Sequence, residues 1–81
     1  MEQKAKSVYN YCPFCEKRIF FKISLNDIDT SQYPAPAYII HKDESCNKLA
    51  TFYFDSLLRV SYKETEKKAG GIKEIEAVTI K

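Results

Sequence analysis

The sequence predicts one small, mainly β domain of short antiparallel hairpins gathered around a single metal site. Three observations lead there. Residues 17–23 alternate with period two, with Ile19, Phe21 and Ile23 on one face and Arg18, Phe20 and Lys22 on the other, the pattern of a half-buried strand. The three cysteines and the one histidine fall into two close pairs, Cys12-x2-Cys15 and His41-x4-Cys46. Finally, a chain of 81 residues makes one domain, and the core of so small a domain supplies only about 3–5 kcal/mol, so a metal, a disulfide or a partner subunit is expected as a staple.

Composition sets the outer bounds. Apolar residues at 44% and charged residues at 30% describe a globular chain rather than a disordered one. The longest apolar runs, Ile19-Phe20-Phe21 and Ala37-Tyr38-Ile39-Ile40, fall far short of the ~20 residues of a membrane-spanning helix. Lys4 and Lys6 are not followed by the apolar segment of a secretory signal. The expected setting is cytoplasmic and reducing, where clustered cysteines point to metal or redox chemistry rather than to disulfides. Residues 1–22 carry five Lys/Arg against two Glu, a local charge of +3; residues 23–47 carry Lys42 against four acids, or −3; residues 48–81 carry seven Lys/Arg against five acids, or +2. Mildly basic ends around an acidic middle exclude the strong basic stripe of a dedicated nucleic-acid binder.

The elements follow in order. Residues 7–11, Ser-Val-Tyr-Asn-Tyr, are strand formers that lead into the Cys12-Pro13-Phe14-Cys15 turn and then the strand at 17–23. Ser24 with Asp27 can cap a single helical turn. Tyr33-Pro34-Ala35-Pro36 suits neither a helix nor a central strand and is expected to be an extended, polyproline-like part of a loop over 24–37. Residues 37–41 make a short strand ending at His41. Residues 48–54 and 59–63 read as a hairpin, with Val60 and Tyr62 on one face and Arg59, Ser61 and Lys63 on the other. Its turn at Asp55-Ser56-Leu57 lacks glycine and so is not a tight two-residue type. The stretch 64–81 is open to more than one reading. Glu64–Ala69 suits a helical turn ended by Gly70-Gly71, which keeps a small α+β arrangement in view. Ile72–Ile80 mixes periods but leans towards strand, and 64–81 is either part of the single 1–81 domain or a separate tail element.

Zinc is the expected metal. It takes four tetrahedral ligands from thiolate sulfur and imidazole nitrogen, and the chain offers Cys12, Cys15, His41 and Cys46. The 25 residues between Cys15 and His41 are absorbed by the loop at 24–37, because a longer closed loop costs only a few tenths of a kcal/mol more. Four protein ligands leave no open position for a reacting water, and no second histidine stands ready as a general base, so a structural zinc in a non-enzymatic protein is expected. The bland reading for each ligand is a buried small hydrophobe for a cysteine and an ordinary core or surface residue for the histidine. Glu16 and Glu44 read as solvated turn charges.

Tyr11-Cys12-Pro13-Phe14-Cys15 leading into an alternating strand resembles the zinc ribbons of transcription factors and small archaeal proteins, over about residues 8–62. The resemblance implies a zinc-ribbon-like binding module for nucleic acid or protein. It departs at the second half-site, where Cys-x2-Cys is usual and His41-x4-Cys46 stands here. The Lys/Ile/Glu-rich composition is similar to that of proteins from thermophilic archaea or their viruses. Cys-Pro-Phe-Cys also resembles the active-site turn of glutaredoxins, in which Cys12 would be the nucleophile and Cys15 its partner. That family requires a helix directly after the motif, and residues 17–23 alternate as a strand.

Two surfaces offer a working face. Phe20 between Arg18 and Lys22 sets an aromatic ring among cations, the pattern that stacks on a base while contacting phosphates, and Arg59, Ser61 and Lys63 make a second cationic strand face. The alternative is a protein adaptor or homodimer using Tyr33-Pro34-Ala35-Pro36 and Phe52-Tyr53-Phe54, which present aromatics both ways. An ordinary solvated strand face, with Phe20 packed under a loop, is the plain alternative to both.

Overall fold

The computed structural model describes residues 5–80. Six strands, β1 (Lys6–Tyr11), β2 (Arg18–Ile23), β3 (Ala35–Lys42), β4 (Leu49–Phe54), β5 (Val60–Glu64) and β6 (Glu74–Thr79), form one curled sheet in the order β1-β2-β6-β3-β4-β5. The protein is therefore mainly β, as the alternation predicts. Among the described residues the only helical element is a 3-10 turn, Leu25–Asp27, held by the capping box of Ser24 and Asp27. Residues 65–70 form bends and a turn, so the helical turn expected over Glu64–Ala69 is absent.

The first hairpin, β1–β2, pairs Tyr9 with Phe20 and Tyr11 with Arg18. A meander, β3–β4–β5, makes the other half of the sheet. Between them lies β6, antiparallel to β2 and parallel to β3. The stretch left open as a separate tail is thus the connector of the sheet. Its lead-in, residues 65–73, crosses the outer face of β3 and β4. Thr51 on β4 is fully buried beneath it, donating to the Glu66 carbonyl at 2.6 Å and accepting from the Lys68 N–H at 3.1 Å. The Tyr38 hydroxyl donates to the Lys68 carbonyl. Gly71 lies flat on the Tyr38 ring, where an added Cβ would come within 2.6–2.9 Å of three ring carbons.

β3 begins two residues earlier than predicted and includes Pro36. Proline is tolerated there because Tyr38, two residues on, points its N–H at Lys73 ahead of β6. Alternate N–H groups face the same side, so Pro36's missing donor faces that side too, before the β6 pairing begins at Tyr38.

The curled sheet wraps its inner face around Ile19, Phe21, Ile23, Ile39, Phe52, Phe54 and Ile75. Phe21 meets Phe52 and Phe54 edge-on at 5.6 and 6.1 Å. The curl brings edge strands β1 and β5 together. Lys63 closes the seam, its ammonium donating to Asn10 Oδ1 at 2.6 Å and to the Tyr11 carbonyl at 2.8 Å. A bulge sends Lys63 there. Val60 pairs with Phe54, but Tyr62 pairs with Tyr53 and Lys63 with Phe52, so Ser61 is the extra residue. Val60 and Tyr62 therefore do not share a face, and Lys63 is not the exposed cation that alternation predicts. Burial pulls its pKa below the usual lysine value.

Candidate metal centre

Two turns meet at one end of the sheet. The first joins β1 to β2 and carries Cys12 and Cys15; the second joins β3 to β4 and carries Cys46, with His41 near the end of β3 leading into it. They close in the same way. Cys12 N–H donates to the Lys17 carbonyl at 2.9 Å, and His41 N–H to the Lys48 carbonyl at 3.1 Å. In each turn the acceptor stands two residues after the second ligand. In each, the residue directly after that ligand is left-handed: Glu16 at φ 62° and Asn47 at φ 51°. The second turn is thus a knuckle like the first with two more residues in it, which is why a His-x4-Cys spacing serves where Cys-x2-Cys is usual.

Side chains tie the two knuckles together. Lys17 donates to Ser45 Oγ at 2.8 Å and lies 3.6 Å from Asp43, and Lys48 sits 5.3 Å from the centre of the Phe14 ring.

The ligand atoms of Cys12, Cys15, His41 and Cys46 all lie within 4.8 Å of one another. Cys12 Sγ is 3.6 Å from Cys46 Sγ, and Cys15 Sγ is 3.4 Å from His41 Nδ1. A tetrahedral ion with metal–sulfur bonds of about 2.3 Å and a metal–nitrogen bond of about 2.0–2.1 Å needs ligand–ligand edges of about 3.5–3.8 Å. The four groups form a cluster that can hold a metal ion.

The histidine is set for this role. Thr79 Oγ1 on β6 gives its single proton to Asp43 Oδ2 at 2.6 Å. Its contact with His41 Nε2 at 2.5 Å must then be one in which the imidazole N–H donates. Nε2 carries the proton, and the Nδ1 lone pair faces the sulfurs. Asp43 is held ionised, well below the usual carboxylate range, first by the Ser45 hydroxyl and then by that of Thr79.

Their surroundings move two of the thiols in opposite directions. Burial opposes ionisation of Cys12, but the N–H groups of Cys15 and Phe14, with the neighbouring thiols, outweigh it and lower its pKa. Burial, together with the neighbouring Cys12, pushes Cys46 up to about 11. A divalent cation at the centre favours all three thiolates at once.

The predicted surface residues scatter. Arg18, Phe20 and Lys22 lie on the outer face of β2, with Arg18 and Lys22 exposed and Phe20 half-buried against the Tyr9 ring at 5.1 Å. Arg59 belongs to the β4–β5 turn, with its guanidinium 2.9 Å from Asp55. Lys63 lies inside the seam. The adaptor candidates divide: Ala35 and Pro36 are buried and Phe52 and Phe54 point into the core, while Tyr33 and Pro34 are exposed and Tyr53 stacks on the exposed Tyr62 at 4.2 Å. The helix a glutaredoxin needs after its cysteine pair is replaced by β2.

No helix of the described residues is long and apolar enough to cross a membrane. Compared with protein-family models, curated proteins and solved structures, the chain matches none.

Proposed function

We propose that this protein is a non-enzymatic, zinc-stabilised, zinc-ribbon-like module that binds nucleic acid. Zinc suits a tetrahedral set of three thiolates and one imidazole, and four protein ligands close its coordination sphere. When bound, the ion neutralises the thiolates and pins the two knuckles to each other. Cys12 and Cys15 then serve as ligands rather than as a redox pair.

The observation that carries the binding function is the outer face of β2. Phe20 stands there between the exposed cations Arg18 and Lys22, away from the core. The cations contact phosphates and the ring meets bases. Arg59 and Lys63 are engaged elsewhere and do not contribute. Titration of a labelled oligonucleotide with the zinc-loaded protein tests this. Binding should weaken with salt by a log–log slope of roughly −0.7 to −0.9 for each phosphate neutralised. The double substitution Arg18→Ala plus Lys22→Ala should flatten that slope by about 1.5. An unchanged slope and affinity in the double variant would remove β2 from the interface.

A further inference from the structure

Three exposed side chains that the β2 pattern does not include lie on the same outer face. Tyr9 is 68% exposed, Tyr11 54% and Val78 51%. Register places them. Tyr9 faces Phe20, Phe20 faces Val78, and Val78 faces Lys42, so one row of four residues runs across β1, β2, β6 and β3. The next row holds Tyr11 and Arg18, with Ile80 beyond, its N–H donating to the Arg18 carbonyl at 2.9 Å. A cleft of about 340 Å3 opens between Tyr9, Asn10, Tyr11, Arg18 and Ile80, at the small end of the ~300–1,000 Å3 range of ligand pockets. It has room for a planar ring.

The charges on these two rows are all positive: Arg18 and Lys42. The acids on the outer face of β6, Glu74 and Glu76, stand in the rows beyond, beside Tyr38 and Ile40. Aromatic platforms beside cations, bordered on one side by acids, match a polyanion whose bases are free to stack. A duplex keeps its bases stacked inside and offers such rings nothing, whereas a single strand offers a π-face at every nucleotide.

We infer that the outer face of β1, β2 and β6 takes single-stranded nucleic acid, with one base on the Tyr9–Phe20 platform and the next in the cleft at Tyr11, with Arg18 on the phosphate between them and with Lys42, three strands across the sheet, on a phosphate further along the nucleic-acid strand. Tyr9 and Tyr11 are two residues apart on one strand, so these seats are about 6.6 Å apart along β1. The inference rests on the nucleic-acid reading and adds to it the strandedness and the base seats.

The experiment uses the full chain, zinc-loaded, with a fluorescent ten-nucleotide oligothymidylate, single-stranded or annealed to its complement, at low salt. The single strand should bind at least tenfold more tightly than the duplex. Tyr9→Ala and Tyr11→Ala should each weaken it by about 5- to 100-fold, while Tyr11→Phe, which keeps the ring, and Tyr62→Ala on β5 should bind as the native chain does. Equal or tighter duplex binding would overturn the inference and leave the nucleic-acid reading standing. So would single-strand binding indifferent to both alanine substitutions in proteins that retain zinc. Binding of neither form would end both, and self-association lost on Tyr9→Ala would then assign the face to a second copy of this chain.

Discussion

Thr79 is the residue through which the far end of the chain reaches the metal cluster. It stands 38 residues beyond His41 and belongs to another strand, yet its hydroxyl decides which imidazole nitrogen carries the proton. Nothing in a Val-Thr-Ile run marks that role. The four ligands were legible because their types and spacing are the chemistry itself. A residue that orients a ligand from a third element leaves no local signal. Thr79→Val keeps the shape and removes the hydroxyl. Metal affinity should fall by about 10- to 100-fold, measured by competition with a chromophoric chelator, and the ligand-field spectrum of the cobalt-substituted protein should change. An unaltered spectrum and affinity would mean that Thr79 only packs. Tyr9 and Tyr11 read only as strand formers, although their alternation with the inward-facing Val8 sets them on the outer face. Lys63 was not legible, because one bulged residue turns it to the opposite face.

At the level of elements, β2 was readable and β6 was ambiguous, for the same physical reason. β2 sets Ile, Phe and Ile against Arg, Phe and Lys, so its period of two is loud. β6 buries Ile75 and Ala77 and exposes Glu74, Glu76 and Val78. Its second inward position is an alanine, beside His41 in register, and its outward positions include a valine. That blurs the alternation and lets Ile72, Ile75 and Val78 mimic a helix. Its place between β2 and β3 rests on two non-local pairings, antiparallel to β2 and parallel to β3, which no short window of sequence contains. The strand depends on its lead-in. Lys73 joins Asp27 at 2.9 Å, and Gly71 rests on Tyr38. Gly71→Ala puts a methyl into the ring and must lift the crossing segment. The cost should be about 1–3 kcal/mol, read as a lower urea midpoint, with faster amide exchange in β6.

For the whole molecule, the β1–β2 hairpin and the β3–β4–β5 meander are joined at two places besides the packed core and the seam. One is β6, which pairs with both; the other is the metal cluster, which draws one knuckle from each. The seam on the opposite side is held by Lys63 and by Lys6, which donates to the Leu57 carbonyl at 3.2 Å. The zinc proposed for this cluster would add on the order of 10 kcal/mol of apparent binding free energy, well above the ~3–5 kcal/mol expected of so small a core. Adding a strong chelator should therefore unfold the domain, seen as loss of the β circular-dichroism signal and recovered on returning zinc. A folded, metal-free chain with three reactive thiols would show that the sheet stands without the ion.

The order of the elements along the chain also sets the order in which the parts of the cluster leave the ribosome. Both knuckles are complete by Lys48, whose carbonyl closes the second, 26 residues before β6 begins at Glu74. When the second knuckle emerges, the growing chain has all four ligands and a gap where its connecting strand will go. An ion captured then would hold the β1–β2 hairpin and β3 on either side of an empty slot, and β6 would enter it later, bringing with it the threonine that locks the histidine.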